Sequence, residues 1–292
     1  MIAQLLRRSK IPLMRRAVIK AGRATSSQGV SLAAAGCAFY ATLALFPSIT
    51  MLISLYGLAY DPDTVQPQLH YLRSFMPPAA FTLISERIQS VVSQPARGLG
   101  ISFLISLALS LWSSSTGTKS VLNALSLAYN QEETRGIIRF QLVALGMTLI
   151  AVIGASLAIG VLVLIPIVIA RVGLSGYAQI LVALPSFVVM VVFVIVALGL
   201  LYRFGPAGTG RIFYAPGAGL ATFIWLLGSW AFGLYVGQFA AYSATYGPLS
   251  TLIGLMMWFY LSAYVVLFGA EVNAALDEEW AREQGEKKAA AF

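Results

Sequence analysis

Residues 211–271 read RIFYAPGAGL ATFIWLLGSW AFGLYVGQFA AYSATYGPLS TLIGLMMWFY LSAYVVLFGA E, and none of the 59 residues between Arg211 and Glu271 is charged. Crossing ~30 Å of hydrocarbon takes ~20 apolar residues in a helix. The stretch is long enough to cross twice. Its natural break is AYSATYGP at 241–248, a small polar turn containing Gly247 and Pro248. Four more charge-free tracts precede it, at 24–60, 98–118, 140–170 and 172–202, and each can supply one crossing. The expected fold is all-α, a polytopic membrane protein with six transmembrane helices.

Composition agrees: the chain is 59% apolar and only 10% charged, with a mean hydropathy of +0.82. The net charge of +8 is distributed as a topology signal, not as a nucleic-acid footprint. Seven of the 19 basic residues precede the first span. With the amino terminus inside, 14 fall on the inner side and four on the outer. Basic residues favour the cytoplasmic side, so both termini are expected there. The resulting division is a basic amphipathic cytoplasmic segment over 1–23, a transmembrane domain over 24–276 and a charged cytoplasmic tail over 277–292.

Two extramembrane pieces carry patterns. Residues 2–23 set Leu13, Val18 and Ile19 among arginines and lysines, which suits a helix at the cytoplasmic interface, either sensing anionic lipid or anchoring the topology. Residues 61–97 form the one sizeable outside segment, cut by Pro62, Pro67, Pro77, Pro78 and Pro95. Phe81, Ile84, Ile88 and Val91 recur there at helical spacing, so short amphipathic helices on the outer face are expected. They could cap a cavity, dock a partner or simply pack.

Catalysis is poorly supplied. The single histidine, His70, and the single cysteine, Cys37, cannot form a metal cluster, and no hydrolase, zinc-protease or phosphate-loop motif occurs. A metal-dependent nuclease needs converging acids, whereas Glu132 and Glu133 are neighbours whose side chains diverge by about 100° on a helix. No catalytic residue, metal site or cofactor is expected. Cys37 reads as a small packing residue.

Two charges bear on function. Lys119 closes WSSSTGTK at 112–119, followed by Asn123, and Glu271 lies in FGAEVN at 268–273, beside Asn273. Each falls some 20 residues into its span. A charge at membrane depth is costly and tends to mark a pathway. Lys119 and Glu271 could pair or share a polar cavity with Asn123 and Asn273; the alternative is snorkelling to headgroups. Pro47 is expected to kink the first span, and Gly233 with Gly237 would admit a close helix neighbour.

Several segments together resemble the YihY/BrkB family of bacterial inner-membrane proteins, once misnamed as a ribonuclease. They are AFYATLALFP at 38–47, which includes Tyr40, then NALSLAY at 123–129, the loop with Glu133, Arg135 and Arg139, APG at 215–217, Tyr246-Gly247, Trp258 and GAEVNA at 269–274. Ala44 departs from the serine expected in the first motif. The resemblance implies an inner-membrane protein linked with serum resistance and envelope lipid traffic, often described as a transporter. The expected function is transport or flipping of an amphipathic, anionic lipid-like substrate, with Lys119 and Arg135 attracting its headgroup and Tyr40 among the pathway residues. One alternative is proton- or cation-coupled transport using Glu271. Another is a scaffold docking a periplasmic lipid-transfer partner through 61–97. Membrane lipids are the expected partners, and nucleic acid is not.

Overall fold

The computed structural model describes residues 2–26, 28–59, 101–172, 178–207, 213–238 and 248–289. The regular structure there is helical throughout: α1 (Ile2–Thr25), α2 (Gln28–Ala59), α3 (Ile101–Ala128), α4 (Ile137–Val172), α5 (Ala178–Phe204), α6 (Ala215–Gln238) and α7 (Pro248–Ala289). The expected outside helices over 61–97 lie outside the described residues.

Charge-free tracts and helices coincide closely. Among the described residues, five helical stretches are long and apolar enough to cross a membrane: Gly29–Ser48, Ile137–Val161, Leu184–Phe204, Ala215–Tyr235 and Leu252–Gln284. The tract at 98–118, expected as a further crossing, ends within α3, which is not among these five and whose middle is made polar by Ser113, Ser114, Ser115, Thr116, Thr118, Lys119 and Ser120. Large apolar side chains face outward, as lipid-facing surfaces do. On α6 the stripe Phe223, Leu227, Trp230 and Leu234 is exposed at helical spacing. Helix α7 begins on Pro248, whose missing N–H costs nothing in a first turn, and runs on as helix to Ala289, through most of the expected tail.

The chain divides into two compact units. One comprises 1–41, 119–140 and 195–292. Its core joins Val30, Ala34 and Cys37 of α2, Ala124, Leu125 and Ala128 of α3, Tyr202 of α5, Ala218 of α6, and Leu267 with Ala270 of α7. Cys37 is buried, and its sulfur accepts a hydrogen bond from Ser120 Oγ at 3.6 Å. A second cluster seats Leu13, Ala17 and Ala21 of α1, spaced four apart, on Val272, Ala275 and Leu276 of α7. From Leu13 to Ala21 this face of α1 is therefore covered by protein.

The other unit comprises 42–118 and 141–194. Hydroxyls tie its helices together: Ser48 Oγ meets Ser114 Oγ at 2.5 Å, and Thr118 Oγ1 meets Thr148 Oγ1 at 2.7 Å. In an apolar surround, where helices gain little from the hydrophobic effect, such bonds act as interhelical glue. The serine-threonine run of α3 is in this respect a packing seam. Pro47 sits inside α2, which continues as helix on both sides, and the adjacent Ser48 also donates to the Ala44 carbonyl at 2.7 Å.

Candidate functional site

Helix α7 carries three polar residues of the first unit that bear on a site, Glu271, Asn273 and Asp277. Glu271 is 8% exposed, flanked by buried Ala270, Val272, Ala275 and Leu276. The ion pairs among the described residues are Lys20–Glu278, Glu133–Arg135 and Glu279–Arg282, so Glu271 takes part in none of them. No hydrogen bond to another described residue holds its carboxylate. Lys20 reaches α7 because it lies at the edge of the α1 face packed on that helix, where it pairs with Glu278. Among the described residues no ion pair joins Lys119 to Glu271.

Asn273, two residues on, has a different task. It is fully buried, its Oδ1 accepts the Gly217 N–H at 2.8 Å, and its Nδ2 donates to the Tyr214 carbonyl at 3.3 Å. The first N–H groups of any helix lack intrahelical acceptors, and α6 opens on APG, whose Pro216 has no N–H and whose Gly217 has no capping side chain before it. Asn273 supplies that cap from another helix. One turn further, Asp277 Oδ1 accepts the Phe213 N–H at 3.1 Å. The pair at i and i+4 clamps the entry to α6.

The clamp works only because α6 and α7 cross tightly. A Cβ on Gly217 would stand 2.2 Å from the Gly269 carbonyl oxygen, and one on Gly269 would stand 2.5 Å from the Tyr202 hydroxyl. Tyr202 OH donates to the Val266 carbonyl at 2.7 Å, fixing α5 to the same level of α7. Small residues at the contact let the backbones approach.

Arg135 is also a structural clamp. Its Nε and one terminal nitrogen each bond a different oxygen of Glu133 at 2.7 Å, and that terminal nitrogen also donates to the Gly205 carbonyl at 2.8 Å. The guanidinium, with a side chain only 9% exposed, stands 5.6 Å from the Phe140 ring centroid. The loop it anchors begins where α3 ends in a Schellman turn. Asn130 is left-handed (φ 49°), with Asn130 N–H to Leu127 O at 2.9 Å and Gln131 N–H to Ser126 O at 2.8 Å. The hydrogen bonds from Arg135 hold the Glu133 carboxyl below its usual range. A lowered folded-state value means the pair's stabilisation is present at neutral pH and is lost as pH falls through and below about 4. Arg135→Ala is expected to cost about 1.5–3 kcal/mol, the scale of charge-assisted bonds. Glu133→Gln should flatten the acid limb of a thermal-stability profile in detergent.

The remaining sequence candidates scatter. Asn123 is exposed on α3 in line with Leu127, on the face away from Leu122 and Leu125. Lys119 is half-buried. Tyr40 is exposed on α2, its ring edge-on to Phe39 at 5.3 Å. Gly233 faces open space among the described residues, and the surroundings of Gly237 lie outside them. Sequence reasoning passed over Lys20, Tyr202, Asp277 and Glu278. The spacing of Asn273 and Asp277 on one helix face was a signal for the clamp; nothing in the sequence points to Tyr202. Among the described residues no group of three or more His, Cys, Asp or Glu side chains could hold a metal ion.

A family profile described as virulence factor BrkB matches residues 21–292. The chain is 32% identical over 253 residues to a ribonuclease-like protein YfkH of Bacillus subtilis, covering 82% of this chain and 87% of that one. It is 40% identical over 82 residues to the UPF0761 membrane protein XAC0937 of Xanthomonas axonopodis pv. citri, covering 28% of this chain and 19% of that one. A UPF0761 membrane protein of Xanthomonas oryzae pv. oryzae is 41% identical over 78 residues, 26% of this chain and 18% of that one. The chain thus aligns with about a fifth of the length of these Xanthomonas relatives. No solved structure matches.

Proposed function

This chain belongs to the virulence factor BrkB family, and from that premise we propose that it is a bacterial inner-membrane transporter or flippase of an amphipathic, anionic lipid-like envelope substrate. The observation that carries the reading is Glu271: a carboxylate 8% exposed, inside a helix long and apolar enough to cross a membrane, with no ion pair among the described residues. A charged side chain at membrane depth costs about 2.5–3.5 kcal/mol on insertion scales, and such residues concentrate on transport pathways. Six crossings with both termini cytoplasmic complete the proposal, supported by the basic residues on the inner loops.

The same residue favours a second reading, in which Glu271 carries a proton or cation that drives transport. Its lack of an ion-pair partner in the first unit is the feature a carrier carboxylate requires. One experiment addresses both. Full-length protein in liposomes, assayed for movement of short-chain fluorescent phospholipid, is expected to lose at least tenfold in rate on Glu271→Gln at unchanged thermal stability. Lipid movement indifferent to the substitution would sink the role of Glu271. A proton or sodium flux that needs Glu271, with no lipid movement, would establish the coupled transporter in its place. Docking through 61–97 rests on sequence pattern alone.

A further inference from the structure

Helix α1 has two faces with different partners. Around its axis Leu13, Ala17, Ala21 and Thr25 are buried, with Met14 and Val18 partly so, and this sector is packed on α7. The opposite sector is exposed and consists of Arg15, Arg16, Ile19, Lys20 and Arg23. Lys20, at the sector's edge, is neutralised by Glu278. Arg15, Arg16 and Arg23 have no acidic partner among the described residues. Three guanidinium groups thus share one solvent-facing strip with an exposed apolar side chain, Ile19, at its centre.

The strip is held in place. Tyr264 OH of α7 donates to the Thr25 carbonyl at 3.1 Å, and Ser26 turns back on Gly22 through both its backbone N–H, at 3.2 Å, and its side chain, at 2.7 Å. The candidate span of α2 begins at Gly29, six residues after Arg23. A basic strip whose Arg23 end stands within two turns of a crossing reaches there into the field of a lipid surface, which decays over a Debye length of ~8–10 Å. Guanidinium forks bind phosphate oxygens bidentately, and an apolar residue between them can enter the acyl boundary.

We propose that the Arg15–Arg16–Ile19–Arg23 strip of α1 is a binding surface for anionic phospholipid headgroups of the surrounding bilayer. The strip is separate from any transport route through Glu271 and does not depend on one. Because its other face is fixed to α7, the strip meets the membrane as a preformed surface, and lipid charge is read by a helix that touches the segment carrying Glu271.

The test is lipid competition on the full chain in detergent by native mass spectrometry, with phosphatidylglycerol against phosphatidylcholine. Wild type is expected to prefer phosphatidylglycerol, and each arginine removed should weaken that preference about fivefold. The triple variant Arg15→Gln/Arg16→Gln/Arg23→Gln, altered only on exposed positions, should keep its melting temperature and lose the preference. Glu271→Gln should retain it, which separates this site from the transport reading. An undiminished preference in the triple variant, or none in wild type, overturns the proposal. Should the triple variant lose stability, the single substitution Arg23→Gln decides by the same ratio.

Discussion

Gly217→Val is expected to remove more than about 3 kcal/mol of stability, the upper end of overpacking costs. The first atom of the new side chain would lie 2.2 Å from the Gly269 carbonyl oxygen and 2.5 Å from Asn273 Nδ2. One is backbone and the other is the amide that caps α6, so neither can swing aside. The reciprocal position is as tight: a Cβ on Gly269 would meet Ala221 Cβ and the Gly217 oxygen, both at 2.8 Å. Gly233→Ala is the control, since nothing lies within 4 Å of its Cβ position. There the gain in helix propensity should raise stability by about 0.5–1 kcal/mol. Thermal denaturation in detergent, followed by the monodisperse fraction, measures both. A Gly217→Val protein as stable as wild type would mean that α6 and α7 do not cross at these glycines.

Asn273→Ala is expected to be the next most damaging change. It strips the buried Gly217 N–H of its acceptor and the Tyr214 carbonyl of a donor. Leaving a buried group unsatisfied costs about 1–3 kcal/mol, and the lost side-chain volume adds to it. Asn273→Asp keeps an acceptor for Gly217 but buries a carboxylate, so it should not restore wild-type stability. The measurement also separates cap from pathway. A cap lowers melting temperature and transport together, whereas a substrate contact lowers transport alone. Unchanged thermal stability in Asn273→Ala would return the residue to the pathway.

The spans were legible because lipid imposes one requirement on every crossing, a run of uncharged residues long enough to hide its own backbone. The tract 24–60 became α2, Gln28–Ala59, and the break at 241–248 falls between the end of α6 at Gln238 and the start of α7 at Pro248. The close helix contact was not legible in the same way. Gly233 and Gly237 offered the expected small-residue spacing; among the described residues nothing lies within 4 Å of a Cβ on Gly233, and a close crossing lies at Gly217 and Gly269. Those two glycines are 52 residues apart, and their approach depends on where two helices cross, which hydropathy does not encode. Asn273 and Arg135 were equally ambiguous. A buried amide or guanidinium looks alike in sequence whether it awaits a substrate or satisfies a helix end. The bonds to the Gly217 N–H and the Gly205 carbonyl give both residues a structural task that the sequence did not show. Glu271 stands out in the sequence because a lone carboxylate ending a 59-residue uncharged run needs no partner to be conspicuous.

Helix α7 does not break between Pro248 and Ala289, which gives it a mechanical property. From Gly269 to its last turn is a stiff arm about 30 Å long at ~1.5 Å per residue, so a tilt of ~10° at the glycine crossing would sweep the end by ~5 Å. Angle at one place becomes travel at another. Residues 277–289 are therefore a pointer whose base, tied by Asp277 to Phe213 and by Glu278 to Lys20, moves with the helices it is packed on.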